Sequence, residues 1–229
     1  MLLLAADTSG KHGSIALARL PQQSTSHQNS EQIEVIETVP LAGGTFSAQL
    51  VPQIAALLSK HGFTKEDIGA FAVVSGPGSF TGLRVGLAAI KALAEVLGKP
   101  IAAVSLLEAV STAGQSHGRV MAALEAGRGE VYAGEYEVAE RAEMLNERLL
   151  TKDEFVASAE GWTVVTPDQS IADMARNAGL AVRQVEHPRS DAIARLGWQK
   201  IRAGKTVSPE QLEANYIRRS DAEIFSKPG

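Results

Sequence analysis

Between Ser75 and Arg84 the chain reads SGPGSFTGLR, placing Gly76, Gly78 and Gly82 between an apolar run and a long helical pattern. Such a turn can cradle a phosphate, expose a nucleophile or simply redirect the backbone. A P-loop requires Gly-Lys-Ser/Thr after four intervening residues, but Thr81 stands at the fifth position after Gly76 and Leu83 follows Gly82. A nucleophile elbow requires glycines two residues either side of the serine, and Ser79 has Pro77 and Thr81 there. The dinucleotide fingerprint fails as well, because the three glycines are one residue out of step with it. Two readings remain. One is a tight strand-to-helix turn with Ser79 or Thr81 as helix cap. The other is an anion held on free N–H groups at the helix start.

Other reactive residue types are sparse. The chain has no cysteine, hence no thiolate nucleophile, disulfide or cysteine-bound zinc, and His12, His27, His61, His117 and His187 include no i, i+4 pair. Lys11 and His12 read as solvated turn residues. Glu125, Arg128, Glu130 and Tyr132 are either the polar end of a hairpin or the lining of a cleft. Arg218 and Arg219 precede Asp221 and Glu223, which reads as a surface ion-pair cluster or as phosphate contacts.

The elements that would position these residues follow from patterning. Leu2–Asp7 and Ser14–Leu20 are short apolar or alternating runs joined by the turn TSGKHG, and IEVIETVP (residues 33–40) alternates like a half-solvated strand. The polar stretch 21–32 between them reads as an exposed loop. Leu50, Ile54, Leu57 and Leu58 share one helical face that Gly62 should end, and AFAVVS (70–75) is a buried strand. A long helix is expected over Gly78–Gly98, then a strand over IAAVS (101–105). Residues 120–138 form a second hairpin of the same strand–turn–strand layout as the first. Helices at Asp153–Ala159 and Ile171–Ala178 flank the strand WTVVTP, a last helix covers about 191–203, and the tail from Ser208 to Phe225 is expected to be partly ordered. A whole lobe therefore looks duplicated.

The second helix is unusually apolar. From Gly82 to Leu97 its charged residues are Arg84, Lys91 and Glu95, a narrow stripe at i, i+7 and i+11. A surface helix normally buries one apolar stripe, whereas this one offers apolar surface on several sides. Gly82, Gly86 and Ala89 are small enough to admit another backbone. The facing element is the Leu50–Leu58 helix, another protein, or both. The residues expected at a partner interface are Ser47, Leu50, Ile54, Gly82, Leu83, Gly86, Ala89 and Ile90.

Composition bounds the rest. With 229 residues, 45% apolar and 21% charged, the chain can bury a sizeable core as one domain or two lobes. A net charge of −4 gives no sign of a broad nucleic-acid surface. MLLLAAD is too short for a signal core and no run reaches membrane-spanning length, so the expectation is a soluble cytoplasmic protein with no membrane contact.

GPGSFTGLRVGLAAIKALA, with AADTSGKHGSIALA before it and KPIAAVSLLEAV after it, resembles the bacterial TsaB (YeaZ) proteins. SAQLVPQI is similar to that family's first-helix motif, RGEVYAGEY to its second hairpin and ANYIRR to its C-terminal signature, so the resemblance covers nearly the whole chain. It implies an α/β fold of the actin/Hsp70/hexokinase-like (ASKHA) type, with two lobes that each begin with a β-meander. The lobes would be residues 1–104 and 105–229, the last helix packing back on the first. It implies a role in making threonylcarbamoyladenosine at tRNA position 37, as a non-catalytic scaffold that pairs with the TsaD transferase and is joined by the TsaE ATPase. Other partners would be a second copy when alone, and tRNA only through the complex. The alternatives are an independent ATP-dependent kinase-like enzyme or a peptidase of the same fold, and a self-associating structural protein.

The resemblance further implies that Asp7, Thr8 and Ser9 are candidate nucleotide or anion contacts, together with Gly76 and Gly78, with Asp7 facing a phosphate; the same trio is also ordinary turn chemistry. The catalytic relative's two metal-binding histidines align with Leu106 and Val110, so neither a metal nor another cofactor is expected. Two departures stand out. Phe46-Ser47-Ala48 replaces the usual His-Ser-Glu, and Glu125-Ala126-Gly127-Arg128 replaces Asp-Ala-Arg.

Overall fold

The computed structural model describes residues 1–21 and 33–218, and the chain divides into two compact units. The first comprises Met1–Val104 and Pro188–Ala214. Its sheet is built from β1 (Leu2–Asp7), β2 (His12–Arg19), β3 (Glu34–Ala42), β4 (Ile68–Gly76) and β5 (Ile101–Ser105), in the spatial order β3-β2-β1-β4-β5. β1 pairs antiparallel with β2 (Ala5 opposite Ala16) and parallel with β4 (Ala5 opposite Ala72), and β2 pairs antiparallel with β3.

Every residue of β1 and of β4 is buried. Successive strand residues point to opposite faces, so both faces of this sheet are covered. The apolar runs LLLAAD and AFAVVS lack polar alternation for that reason. Helices α1 (Phe46–Lys60) and α2 (Phe80–Leu97) pack against each other and against the sheet, and α6 (Ser190–Arg202) packs against β1, β2 and β4. Gly197 of α6 makes that last approach close, since a Cβ there would stand 2.4 Å from Ala72 Cβ. Ser190, fully buried at the start of α6, donates from Oγ to the Ser14 carbonyl at 2.7 Å and from its backbone N–H to Ser14 Oγ at 2.9 Å, which ties α6 to β2.

The second unit begins at Ser105 and includes residues 215–218 of the described tail. Its strands β6 (Gly118–Gly127), β7 (Glu130–Val138), β8 (Ala142–Thr151), β9 (Thr163–Thr166) and β10 (Ala181–Gln184) lie in the order β10-β9-β6-β7-β8. β6–β7 and β7–β8 are antiparallel, β6–β9 and β9–β10 parallel. Reading β6 for β1, this is the strand order of the first sheet, and the duplication expected from the two hairpins is present. Helices α4 (Lys152–Ser158) and α5 (Gln169–Asn177) bury Phe155, Ile171 and Ala175 against Met121, Ala123, Val131, Ala133 and Val164. Helix α3 (Leu106–Ala113) packs on β6, β7 and β8.

Element ends match the local chemistry. Ser79 caps α2 by accepting from Gly82 N–H at 3.3 Å, so the helix starts at Phe80 rather than Gly78. At α4, Thr151 and Glu154 satisfy each other's backbone donors in a capping box. The expected helix at Ile171–Ala178 begins two residues earlier, at Gln169. Strands β8 and β10 and helix α3 were not assigned from the sequence. The expected exposed loop at 21–32 lies outside the described residues except for its first position, as does the tail beyond Arg218.

Candidate partner face and glycine turn

The glycine turn and the first hairpin lock into each other. Asp7 is 1% exposed, and its Oδ1 accepts from Ser9 N–H at 2.8 Å and from Ser9 Oγ at 2.6 Å. The Ser9 carbonyl accepts from Ser79 N–H at 2.5 Å, and Thr8 Oγ1 donates to the Gly82 carbonyl at 2.7 Å. A side chain at Gly78, whose φ is 159°, would put Cβ 2.4 Å from the Ser9 carbonyl oxygen. Gly82 would meet the Thr8 carbonyl oxygen at 2.0 Å, and Gly86 would meet Thr8 Oγ1 at 2.3 Å. These glycines exist so that α2 can pass directly over residues 7–9. The structure thus brings Asp7, Thr8, Ser9 and Gly78 together, with Gly76 buried at the end of β4. The hydroxyls of Thr8 and Ser9 are donated within the chain.

That geometry corrects part of the expected interface. Gly82 and Gly86 admit the chain's own hairpin, not a second protein. Leu50, Ile54, Leu83 and Ile90 are at most 4% exposed and belong to the core between the helices and the sheet. Only Ser47 (exposed) and Ala89 (half-buried) of the expected set reach solvent. What α1 presents outward is Ala48, Val51, Pro52, Ala55 and Ala56, with Val51 54% exposed. On α2, Val85, Ala88, Ala92 and Val96 form the row i, i+3, i+7, i+11, and Val96 is 77% exposed. Arg84 lies alongside, its guanidinium 3.8 Å from the centre of the Phe80 ring. The sheet takes the large apolar residues and leaves an uncharged row of alanines and valines outside. Sequence reasoning missed this row because it placed the partner on the glycine side of α2, although the same helical spacing contained it.

Phe46, at the position where the resemblance expects histidine, is 6% exposed. Its ring lies against Gly13, where a Cβ would stand 2.3 Å from Phe46 Cε1. The start of α1 is therefore an apolar plug beside the first hairpin.

The second-hairpin residues separate. Glu125 is tied to the start of α5: its N–H donates to Asp168 Oδ2 at 2.7 Å and its carboxylate accepts from Ser170 Oγ at 3.2 Å. Glu130 and Tyr132 instead meet Arg218, which donates to the Glu130 carboxylate and lies 6.0 Å from the Tyr132 ring centre. Burial raises the Tyr132 phenol above its ordinary value, Arg218 pulling it down and Glu130 pushing it up. Arg128 occupies the turn at φ 57°. Among the described residues Arg218 pairs with Glu130; the expected cluster with Arg219, Asp221 and Glu223 lies outside the described residues.

Leu106 and Val110 lie in α3 at 3% and 0% exposure, in core positions. Among the described residues no group of three or more His, Asp or Glu side chains could hold a metal ion, and no helix is long and apolar enough to cross a membrane.

A family model described as TsaD, tRNA N6-adenosine threonylcarbamoyltransferase, matches residues 40–225. The tRNA threonylcarbamoyladenosine biosynthesis protein TsaB of Bacillus subtilis is 30% identical over 241 residues, covering 97% of this chain and 96% of its own. TsaB of Escherichia coli is 31% identical over 193 residues, 76% of this chain and 81% of its own. The chain belongs to the TsaB (YeaZ) family. The solved structure of YeaZ from Pseudomonas aeruginosa shares the fold, with a TM-score of 0.71 over 93% of this chain and 100% of that one at 24% identity. Within the TsaB family, then, this member carries an apolar Phe46 at the head of α1 and a glutamate, Glu125, held by α5.

Proposed function

We propose that this chain is a non-catalytic subunit for threonylcarbamoyladenosine formation at tRNA position 37, which binds a TsaD-type transferase through the outer face of α1 and α2. The observation that carries this reading is the uncharged row Val85, Ala88, Ala92 and Val96 on α2, with Val51 and Ala55 exposed on the α1 that packs against it. Contiguous exposed apolar surface on a soluble protein marks interaction sites, and small side chains let a partner helix approach closely. Supporting it, Leu106 and Val110 are apolar core residues where the transferase would need metal ligands, and Ser79 is engaged as a helix cap. A TsaE-type ATPase joins the pair, and tRNA is reached only through the assembly. Alone, the same face pairs with a second copy, most simply about a two-fold axis.

The test is co-expression with the TsaD-type transferase from the same source, followed by affinity capture and size-exclusion chromatography. Val51→Asp and Val96→Asp should release the transferase while leaving the melting temperature of the lone chain unchanged. Undiminished capture by both variants would refute this face as the docking surface. Absence of capture by the parent chain would refute the scaffold reading itself.

A further inference from the structure

In the second unit two side chains of the described C-terminal segment, Asn215 and Arg218, bond to the sheet. Asn215 Nδ2 donates to Glu147 Oε2 at 2.8 Å. The other oxygen of Glu147 accepts from Ser105 Oγ, which also caps α3, and from the phenol of Tyr136, which is fully buried. Glu147 is therefore an acceptor held by Ser105 and Tyr136 as well as by the tail.

At the other end, Arg218 Nη2 donates to the Glu130 carboxylate and, at 3.3 Å, to the Gly127 carbonyl. The guanidinium carbon lies 6.0 Å from the Tyr132 ring centre. The Arg218 and Glu130 side chains are 24% and 32% exposed, so the pair is shielded on several sides yet open to solvent. A carboxylate, a carbonyl and an aromatic ring from one hairpin thus converge on one planar cation. That combination suits arginine specifically: a guanidinium offers several coplanar donors to two acceptors while its face meets a ring, and an ammonium cannot do both.

We propose that Gly127, Glu130 and Tyr132 form a guanidinium socket which Arg218 fills in cis, making residues 215–218 a releasable latch on the second unit. The segment between the two anchor points belongs to no helix or strand. Arg218 is the part of it that fills the socket, and removing the arginine leaves the socket able to take a guanidinium from solution.

The experiment uses the full chain and its Arg218→Ala variant, titrated with N-acetyl-arginine amide while the backbone amides of Gly127, Glu130 and Tyr132 are followed by NMR. The variant should show saturable shifts at these three amides, the parent should not, and Arg218→Ala/Glu130→Gln should lose them. N-acetyl-lysine amide should bind Arg218→Ala several-fold more weakly. Independently, hydrogen exchange at residues 215–218 should be about tenfold faster in Arg218→Ala than in the parent, the effect expected from losing a partly shielded ion pair and a ring contact. No saturation in Arg218→Ala, equal binding to the parent, or full exchange of 215–218 already in the parent would each overturn the socket.

Discussion

Gly86→Ala should destabilise the chain, and the same substitution should stabilise it once Thr8 is alanine. A Cβ on Gly86 would lie 2.3 Å from Thr8 Oγ1, then 3.5 Å from Cβ and 3.6 Å from Cγ2 of the same residue. The hydroxyl cannot stay in place, yet it is a buried donor to the Gly82 carbonyl at 2.7 Å. If Thr8 rotates away, it leaves buried polar groups without that bond, at about 1–3 kcal/mol. If α2 shifts instead, overpacking costs about 1–3 kcal/mol. Against either loss stands the gain of about 1 kcal/mol from replacing glycine by alanine inside a helix. The net in the parent chain is a loss of up to about 2 kcal/mol.

In the Thr8→Ala background both Oγ1 and Cγ2 are gone, and the nearest remaining Thr8-derived atom is the Cβ at an ordinary 3.5 Å. The helix gain of about 1 kcal/mol should then appear alone, giving a coupling of about 1–3 kcal/mol between two residues in direct contact. Gly82→Ala is the internal control. Its Cβ would meet the Thr8 carbonyl oxygen at 2.0 Å, and no side-chain change at position 8 can remove a backbone atom. Urea and thermal unfolding of the parent, the single variants and the double variant measure the cycle, with about 2–4 °C expected per kcal/mol in a chain of this size. A stabilising Gly86→Ala in the parent, or no change of sign in Thr8→Ala, would refute the close passage of α2 over the hairpin.

Val51→Asp and Val96→Asp, at solvent-facing positions, should each change the stability of the lone chain by no more than about 0.5 kcal/mol, measured by the same unfolding curves that accompany transferase capture. Phe46→Ala should cost about 3–5 kcal/mol by emptying a buried ring site, and it should reduce the cost of Gly13→Ala, whose Cβ would then meet the Asp7 carbonyl oxygen at 3.1 Å instead of Phe46 Cε1 at 2.3 Å. Lys60 and His61 hold the Glu37 carboxyl below its ordinary 4.5 through hydrogen bonds at 2.7 Å. A depressed folded value means the stabilisation is complete above the unfolded value and is lost as pH falls through the folded one. Glu37→Gln should therefore be less stable than the parent at neutral pH, with the gap closing as pH falls below the ordinary 4.5 in acid unfolding curves.

The first lobe was largely legible because its signals are local. LLLAAD and AFAVVS are uninterrupted apolar runs that sit in the centre of a doubly covered sheet, and Ser79 and Gly98 mark the ends of α2 where capping chemistry requires them. The second lobe was legible where it repeats that pattern. Strand β8 escaped because it is an edge strand with mostly exposed or half-exposed residues, including Met144 and Leu145, so no buried face imposes alternation on it. Helix α3 escaped because it is only eight residues long and Ser105, its cap, is also the last residue of β5; a short apolar run does not distinguish helix from strand. The site was half legible. Composition showed that α2 has more than one apolar side, but nothing local tells which side meets the chain's own hairpin. That assignment depends on Thr8, 74 positions from its partner Gly82.

The two sides of α2 answer to different selections, and this separates folding from association in one element. The inner row Gly82 and Gly86 is limited by the position of Thr8, so any enlargement there acts first on the stability of the lone chain. The outer row Val85, Ala88, Ala92 and Val96 has no such neighbour to displace at its solvent side, so enlargement or charge there acts on whatever docks. Leu83, Leu87 and Ile90 fix the helix on the sheet and hold both rows at constant orientation. A helix built this way transmits the position of the first hairpin directly to its outer face, because residues 7–9 and α2 are joined by hydrogen bonds with no intervening layer. Substitutions that loosen this lock, Thr8→Ala among them, should therefore weaken transferase capture even though Thr8 is 3% exposed and itself remote from solvent. Combining Thr8→Ala with Gly86→Ala should restore part of the helix's stability without restoring the hydroxyl bond. Capture that follows the bond rather than the melting temperature would show that the hairpin sets the orientation of the face and does more than support the fold.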